Sequence, residues 1–480
     1  MIRLCTQFLL ALSLLASQSG ALAACQKGHL PAADYPRRAG PLSEREMAMA
    51  RTAWKYFENN TQPTGLVNAV DNYPSTTMWD SASYLGALVA AHDLGIIEAQ
   101  AAHERLGNLF ATFNSMTFFR NELPSKVYNT KTIEQVDYSN MPGEIGFSAL
   151  DLGRLLVLLK IVKERYPGHA DAVDRFVLRW NFDNVVDRSG MMFGAMLGQD
   201  KKVQYVQEGR LGYEEYAAKG FQLWGLATDL ASRPEPYATV PLYCVEVPYD
   251  SRDPRKYSQH NYVVSESYVL DGIEFNWDLA SDRSTNDRVH SQPWMEDFAH
   301  RVYQAQENRF KETAILTARS EHQLSEAPYF VYDTVFTDGY AWNTITETGK
   351  HVPQHAAVSL KAALGMWVLW KSDYTDRLFL AIEKNFEPGK GFYEGILESG
   401  KGPIKTFTAN NNGIMLEALL FKAKGKLLKW SGKTDSLWER TVINPYGLQA
   451  RARPNFLPLP ASPGPAGGNA GCLEAGAGTC

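Results

Sequence analysis

This chain of 480 residues has few cysteines, no large excess of charge of one sign and few long apolar runs. Its 5 cysteines form no Cys-x-x-Cys pair and its 10 histidines are scattered, so no zinc-type ligand pattern is present. The net charge of −5 gives no general attraction to nucleic acid or to anionic lipid. We therefore expect neither a metal site nor a nucleic-acid partner.

Several motifs that carry common chemistries are also missing. The sequence has no P-loop, no Gly-x-Gly-x-x-Gly that opens a helix after a strand, and no Gly-x-Ser-x-Gly. These absences exclude the usual nucleotide-binding signatures and the serine hydrolase elbow. We expect no cofactor.

The N-terminus has the pattern of an export signal. Arg3 precedes an apolar run over 8–16, and Ala21-Leu22-Ala23 offers a small-x-small cleavage site. The run is too short to cross a bilayer, so residues 1–24 are predicted to be a signal peptide and no transmembrane span remains after its removal. The protein is then periplasmic. Because 22–25 also resembles a lipobox, Cys25 is a candidate lipid anchor.

The remaining cysteines bear on this choice. After removal of the signal, Cys25, Cys244, Cys472 and Cys480 could form two disulfides in an oxidising compartment. Cys472 and Cys480 are close enough to close a small loop, which leaves Cys25 for Cys244. If Cys25 carries a lipid instead, Cys244 is an odd thiol.

Five polar segments each lead into an apolar helix rich in small residues. Measured through Asp80, Glu144, Glu214, His355 and Asn411, the intervals are 64, 70, 141 and 56 residues. The interval of 141, from Glu214 to His355, is close to twice 70. This indicates that one more repeat unit, disguised in the sequence, lies between these two residues. A repeat of this size fits helical hairpins, which can close into a ring with the polar segments at one rim.

The helical pattern defines one large domain. Ser43 and Glu46 have capping-box spacing at a helix start, and stronger helices are predicted over 75–95, 98–116, 144–166, 169–180, 213–232, 356–370, 374–385 and 413–425. Between 233 and 345 the pattern is weaker, with possible strands and a helix over 294–310. We predict a helical toroid over 41–430 and a flexible tail rich in Pro and Gly over 444–480.

Carboxyl groups are abundant at the predicted rim. Hydrolysis of a glycoside needs one carboxyl to protonate the leaving oxygen and another to activate water or attack carbon. The candidates for this chemistry are Asp80, Glu144, Glu215, Asp333 and Asp338. A structural role competes, because Glu144, Glu214 and Glu215 are predicted in first helical turns, where carboxylates cap amides.

Aromatic, amide and guanidinium groups accompany these acids. Asn410-Asn411-Asn412 exceeds what one helix cap needs, and such amides could bind sugar hydroxyls. Other candidates could line a binding subsite: Trp79, Arg210, Tyr213, Glu214, Tyr216, Tyr340 and Trp342. Core packing of the rings and helix capping by Glu214 are the alternatives.

Four segments, over 72–80, 209–217, 327–333 and 407–413, resemble the DUF3131 family of exported bacterial proteins. The resemblance covers about 41–428. The family is in turn similar to six-hairpin glycosidases of the glucoamylase-like group, which includes β-1,2-glucanases. This resemblance implies an all-α (α/α)6 toroid with long loops and a small β component, and an inverting hydrolase. A Gly-Tyr-x-Glu stretch of that group, matched by 212–215, points to Glu215.

We therefore expect an exported glycoside hydrolase acting on a bacterial glucan or exopolysaccharide, with Glu215 as one catalytic carboxyl. Its partner would be Asp80, Glu144, Asp333 or Asp338. Two alternatives remain open: a non-catalytic protein that binds the polysaccharide or assists its synthesis, and a polysaccharide lyase acting on uronates. A lyase should have a basic cleft.

Overall fold

A computed structural model describes residues 35–443, apart from 199, 258–259, 286–287 and 433–434. The predicted signal peptide, the candidate lipid anchor Cys25 and the predicted tail over 444–480 lie outside the described residues. Within them, no helix is both long and apolar enough to cross a membrane.

Six helices form a closed inner ring. They are α2 (Met78–Asp93), α4 (Ala149–Arg165), α6 (Tyr213–Leu223), α7 (Glu266–Phe275), α9 (Leu360–Leu369) and α11 (Ala409–Lys424). Each packs on the next, and α11 packs on α2 to close the circle. These helices are buried on nearly all sides, as expected for helices that contact partners around their whole circumference. The predicted all-α toroid is confirmed.

An outer layer of five helices surrounds this ring. It consists of α1 (Glu44–Asn60), α3 (Ala99–Ser115), α5 (Ala170–Leu178), α8 (Pro293–Thr313) and α10 (Asp373–Ile382). Among its described residues, the connection between α6 and α7 has no helix of comparable length and instead carries a two-stranded hairpin, which packs on α8. Over the residues that are described, the sixth hairpin of the toroid thus has a β-hairpin in place of an outer helix.

The β component consists of small antiparallel sheets. Its strands are β1 (Ser75–Thr77), β2 (Val127–Asn129), β3 (Gly146–Phe147), β4 (Phe193–Leu197), β5 (Val203–Gln207), β6 (Tyr237–Leu242), β7 (Val245–Asp250), β8 (His322–Gln323), β9 (Phe330–Asp333), β10 (Phe336–Thr337), β11 (Tyr340–Ala341), β12 (Thr344–Ile345), β13 (Ala357–Ser359), β14 (Phe386–Glu387), β15 (Gly391–Phe392), β16 (Gly395–Leu397) and β17 (Pro403–Ile404). Three of them, β1, β3 and β13, lead directly into inner helices.

Hydroxyl side chains precede five of the six inner helices. The N-cap residues are Thr77, Ser148, Gly212, Ser265, Ser359 and Thr408 in ring order. Ser and Thr are favoured here because their oxygens accept hydrogen bonds from free amides of the first turn. Thr77, Ser148 and Thr408 form this bond. The helix starts thus form a polar rim above an apolar ring.

Some predicted boundaries require correction. The helix expected from 144 begins at Ala149, because residues 146–147 pair with β4, so Glu144 lies in a loop. The helix expected over 213–232 ends at Leu223, and β-structure precedes the helices predicted from 75 and from 356. The disguised unit is α7, which begins at Glu266. The capping box of Ser43 and Glu46 and the helix around 294–310 are confirmed.

Glycine allows the inner helices to approach closely. A Cβ atom on Gly153 of α4 would lie 2.5 Å from the carbonyl oxygen of Ala217 in α6, and one on Gly220 would lie 2.0 Å from the carbonyl oxygen of Gly153. Both positions are too close for any side chain. The narrow centre of the ring therefore depends on glycine at these two contacts.

Candidate functional site

Side chains from opposite sides of the ring meet at the centre of the polar rim. Trp79 of α2 donates its Nε1 hydrogen to Glu266 Oε1 of α7 and to Asn410 Oδ1 of α11, both at 3.1 Å. Asn410 donates its own amide to Glu266 Oε1 at 2.8 Å. Three helices are thus joined by one carboxylate, one amide and one indole.

Two buried cations neutralise this centre. Lys361 of α9 forms an ion pair with Glu266 Oε2. Arg154 of α4 donates to Asn410 Oδ1 at 2.9 Å, and its guanidinium lies 4.7 Å from the centre of the Trp79 ring. Burial acts to raise the pKa of Glu266, but Lys361 and Arg154 outweigh it and the pKa is lowered. Glu266 is therefore an ionised carboxylate whose oxygens are both occupied.

Below the rim, a second acid pair lies inside the ring. Glu274 of α7 and Glu417 of α11 are both fully buried, and the charge of Glu417 acts on Glu274. Burial and the neighbouring Glu417 raise the pKa of Glu274, while Tyr216 donates its hydroxyl to Glu274 at 2.6 Å. Tyr216, expected in a sugar subsite, therefore belongs to the interior.

Two aspartates at the rim keep partial contact with solvent. Asp80 and Asp151 occupy the third position of the neighbouring helices α2 and α4, each three residues after its N-cap hydroxyl. Burial and then the charge of Glu208 raise the pKa of Asp151 to about 7. Burial also raises the pKa of Asp80, but a hydrogen bond from the Thr77 hydroxyl at 2.7 Å, Arg154 and Lys361 act against the rise.

Aromatic rings connect the centre to the side of the rim formed by β9. The ring centres of Trp79 and Tyr213 are 5.7 Å apart, those of Tyr213 and Tyr262 are 6.2 Å apart, and Tyr262 stacks on Tyr332 at 4.5 Å. Arg210 donates to the Tyr262 hydroxyl. Tyr213 donates to Glu321, whose pKa is raised by burial and by Glu266.

Glu214 and Glu215 lie in the first turn of α6, as predicted, but both are buried. Glu215 accepts hydrogen bonds from the backbone N–H of Gly212 at 2.6 Å and of Glu235 at 3.0 Å. Glu214 accepts one from Gln207 at 2.9 Å. This geometry favours helix capping for Glu215. Its catalytic role stays a prediction.

The other three expected acids have local partners. Glu144 forms an ion pair with Arg120 at 3.2 Å in a partly exposed loop, so capping of a first helical turn is wrong for it. Asp333 is fully buried on β9, where it pairs with Arg319 and accepts from Ala357 N at 2.8 Å. Asp338 pairs with His260 at 3.0 Å. The structure does not bring these three acids into the cluster of Trp79, Glu266 and Asn410.

The remaining expected binding residues separate into two groups. Of the three asparagines only Asn410 joins the centre. Asn411 donates to the carbonyl of Tyr393 at 2.9 Å, and Asn412 accepts from the N–H of Phe392 at 2.8 Å, so both bind the backbone at the end of β15. Tyr340 is exposed beside His351, and Trp342 lies under the guanidinium of Arg309 at 4.6 Å. Trp79, Tyr213 and Arg210 remain close to the rim acids.

Sequence reasoning missed Asp151, Glu266, Glu321 and Tyr138, and also the buried cations Arg154 and Lys361. Two had a usable signal. Ser148-x-x-Asp151 repeats the spacing of Thr77-x-x-Asp80, and Ser265-Glu266-Ser267 precedes an apolar helix in the interval that was too long. Glu321 and Tyr138 follow no repeat, because they lie on irregular loops. No group of three or more His, Cys, Asp or Glu that could hold a metal is present in the described part of the chain.

Solved structures share this architecture at low sequence identity. A Bacteroides caccae protein provisionally assigned as a glucoamylase is 12% identical, with a TM-score of 0.58 over 80% of this chain and 94% of its own. The endo-β-1,2-glucanase of Chitinophaga pinensis, in complex with sophorotriose and glucose, is 12% identical with a TM-score of 0.54 over 80% and 93%. The endo-β-1,2-glucanase of Talaromyces funiculosus, with sophorose, is 12% identical with a TM-score of 0.51 over 81% and 85%. The toroid is therefore of the glucoamylase-like type.

At the level of sequence, residues 48–425 match the model described as "Protein of unknown function (DUF3131)". No curated protein sequence matches the chain.

Proposed function

Because the chain belongs to the DUF3131 family, whose description assigns no activity, we propose a function from the rim itself: hydrolysis of a glycosidic bond by Asp151 and Asp80. The observation that carries this proposal is the pair of partly solvent-accessible aspartates at equivalent positions of adjacent inner helices. Their surroundings differ. Burial raises the pKa of both; for Asp151 the charge of Glu208 adds to the rise and Lys126 opposes it, whereas for Asp80 the Thr77 hydroxyl, Arg154 and Lys361 oppose it.

This difference assigns the two roles. With a pKa raised to about 7 by burial and Glu208, Asp151 keeps its proton in mildly acidic solution and can donate it to the glycosidic oxygen. Burial raises the pKa of Asp80 as well, but the Thr77 hydroxyl, Arg154 and Lys361 act against that rise, and we propose Asp80 as the base. As the bond from the anomeric carbon to the leaving oxygen breaks, water attacks that carbon and Asp80 takes the proton of the water. Environments that separate two carboxyl pKa values are the usual basis of such a division.

We propose that the reaction inverts the anomeric configuration, because adjacent helices can hold two carboxyl groups at the wider of the two separations that glycosidases use. Axes of packed helices lie about 8–10 Å apart, and the carboxyl groups of inverting glycosidases are about 6.5–9.5 Å apart, which leaves room for a water molecule. Asp80 and Asp151 start from adjacent packed helices at the same level. Retaining enzymes need a closer pair, at about 5–5.5 Å.

A glycan is the substrate class that the surrounding groups fit. Trp79 is half-buried and offers aromatic surface beside the acids, with the buried Tyr213 packed behind it, and Asn410 adds an amide that can exchange hydrogen bonds with hydroxyls. The structures of the two endo-β-1,2-glucanases hold β-1,2-linked glucose oligomers in the same fold. We propose a β-glucan, with β-1,2-glucan as the first polymer to test.

We further propose that the protein works outside the cytoplasm. Cys244, in the turn between β6 and β7, is disulfide-bonded, and disulfides persist in oxidising compartments. The other four cysteines lie outside the described residues, so the pairing with Cys25 stays a prediction. A disulfide at Cys244 is consistent with the predicted signal peptide over 1–24.

A product assay tests the proposed function. Purified protein is incubated with β-1,2-, β-1,3- and β-1,4-glucan, and reducing ends, ultraviolet-absorbing unsaturated products and bound glycan are measured in parallel. We expect reducing ends without unsaturated products from one of these polymers. Unsaturated products would instead identify a lyase, and saturable binding without any product would identify a binding protein.

Variants assign the activity to the rim. Asp151→Asn should lower turnover about 100-fold or more while glycan binding is retained, since general acid catalysis contributes about 10²–10⁴-fold. Asp373→Asn is the matched control, because Asp373 is an exposed aspartate in the first turn of the outer helix α10. Equal turnover in the two variants would exclude Asp151 as the acid.

A further inference from the structure

A row of aromatic rings in contact runs from the centre of the rim to strand β9. The ring centres of Trp79 and Tyr213 are 5.7 Å apart, and those of Tyr213 and Tyr262 are 6.2 Å apart. Tyr262 stacks on Tyr332 at 4.5 Å with 19° between the ring planes, and Phe330 packs edge-on against Tyr332 at 5.3 Å. Because Trp79 directly precedes the proposed base in α2, the row begins beside the reacting groups and ends on β9.

The last two rings of this row face solvent. Along β9, Phe330 and Tyr332 are partly exposed, whereas Val331 and Asp333 are buried. Successive side chains of a strand point to opposite faces of its sheet. Phe330 and Tyr332 therefore share one face of β9, and this face is the one that solvent reaches.

Polar side chains lie on the same face of the sheet. Strand β8 pairs with β9, and Gln323 lies opposite Phe330. Glu321 and Gln323 are partly exposed while His322 between them is buried, which is the same alternation as on β9. Glu321 also accepts a hydrogen bond from the Tyr213 hydroxyl and is thereby tied to the aromatic row. Aromatic surface with a few polar groups beside it is the usual composition of a site for a small polar molecule.

The protein holds this surface in place before any ligand binds. β9 is the central strand of its sheet, between β12 and β8. Ile345 of β12 lies opposite Tyr332, and Tyr262 supports the Tyr332 ring from one side. Arg210 in turn donates to the Tyr262 hydroxyl. A surface that is already ordered loses little conformational entropy when a ligand binds to it.

We infer that Phe330 and Tyr332 form an aromatic subsite for a pyranose ring of a glycan chain that extends beyond the reacting bond. The two rings offer apolar surface to the C–H groups of the sugar. Glu321 and Gln323, at the edge of the rings, exchange hydrogen bonds with its hydroxyls. The substrate is then longer than a disaccharide. This inference rests on the proposed function and specifies the substrate of that site.

The test compares chain lengths in variants of the last ring. Disaccharides and longer linear oligosaccharides of β-1,2-, β-1,3- and β-1,4-linked glucose are used for steady-state turnover, and for calorimetry in the Asp151→Asn background. The wild type should prefer the longer chains. Phe330→Ala should weaken their binding about tenfold, leave the disaccharide nearly unchanged and raise KM more than it lowers kcat. Phe330→Tyr should behave like the parent because it keeps the ring.

A second variant tests the polar edge without altering the rings. Gln323→Ala removes the amide opposite Phe330, and loss of one hydrogen bond should weaken binding of the longer chains about threefold. Thermal unfolding of each variant is measured beside its affinity. The Gln323→Ala result decides the question if Phe330→Ala does not fold.

Phe310→Ala is the matched control. Phe310 is also a partly exposed phenylalanine against a tyrosine, with its ring centre 5.5 Å from that of Tyr374, but it lies on the outer helix α8. Its loss should leave glycan binding unchanged.

Three results would show that the subsite is wrong while the hydrolase proposal stands. They are a wild type that cleaves glucan but has no preference for longer chains, folded Phe330→Ala and Gln323→Ala that bind these chains as tightly as the parent, and Phe310→Ala that weakens them as much as Phe330→Ala. If the wild-type protein neither binds nor cleaves β-1,2-, β-1,3- or β-1,4-glucan, both proposals fail.

Discussion

Trp79 and Glu266 are 187 residues apart in the chain and come from helices on opposite sides of the ring, yet the indole nitrogen lies 3.1 Å from the carboxylate. The same carboxylate pairs with Lys361. One buried acid thus connects helices α2, α7 and α9 across the opening. The rim is held by charge at its centre as well as by apolar packing around it.

Neutralising Glu266 should destabilise the protein strongly. In Glu266→Gln, Lys361 remains buried and charged without its carboxylate, and breaking one side of a buried ion pair costs about 3–5 kcal/mol. Urea denaturation measures the loss in free energy of unfolding. The double variant Glu266→Gln with Lys361→Met should recover part of it.

The control for that experiment is Glu58→Gln, which removes an exposed partner of Lys55 on α1. An exposed ion pair contributes only about 0–1 kcal/mol. If the two glutamine variants lose equal stability, the ion pair of Glu266 is not what holds the rim.

Close packing of α4 and α6 gives a second prediction. Gly153→Ala would force its Cβ against the carbonyl oxygen of Ala217, and we expect a loss of about 1–3 kcal/mol from overpacking. Gly107→Ala is the opposite case, because Gly107 lies in the outer helix α3 with no atom near the added Cβ. It should gain about 0.5–1 kcal/mol from helix propensity. Thermal unfolding of both variants checks the signs.

Buried acids should make the protein less stable as the solution becomes more alkaline. Burial raises the pKa of Glu215 from 4.5 to about 8, so the folded state holds a proton that the unfolded state has lost. The stability that this proton provides is fully present below pH 4.5 and is lost as the pH rises through about 8. Unfolding by urea should therefore require less denaturant at pH 8 than at pH 5.

Glu215→Gln separates this contribution from those of other acids. Glutamine cannot titrate. Between pH 5 and pH 8 the unfolding free energy should therefore depend less steeply on pH, by the equivalent of up to about one bound proton. An unchanged slope would show that Glu215 does not carry the raised pKa. Turnover of the same variant tests the catalytic role that the sequence predicts for Glu215. If Glu215 has that role, Glu215→Gln should lose activity while glycan binding is kept.

The charge of Glu208 should control the pH range of activity. Glu208 accepts hydrogen bonds from the Ser148 hydroxyl and the Ala149 N–H, and its charge helps to raise the pKa of Asp151 to about 7. In Glu208→Gln the pKa of Asp151 should decrease, so the alkaline limb of the pH–rate profile should move to lower pH. If the alkaline limb of the profile does not move, the charge of Glu208 does not influence the pKa of the proton donor.

Prediction from sequence succeeded where local chemistry decides structure. The capping box of Ser43 and Glu46 and the small residues of α2 sufficed to place helices. It was weaker where tertiary pairing decides, as at residues 146–147, which join a sheet that sequence periodicity does not reveal. Asp333 looked like a site residue because its ion pair with Arg319 depends on a fold that the sequence does not display. Glu266 can be recognised as a residue of the rim only once the closed ring is known.

The leaving group offers the most direct test of Asp151 as the proton donor. Wild-type protein and Asp151→Asn are compared on the glucan that the wild type cleaves and on an aryl β-glycoside of the same linkage, whose leaving group needs no proton. We predict a loss of about 100-fold or more on the glucan and a much smaller loss on the aryl glycoside. Equal losses on both substrates, or full activity of Asp151→Asn on the glucan, would contradict the account.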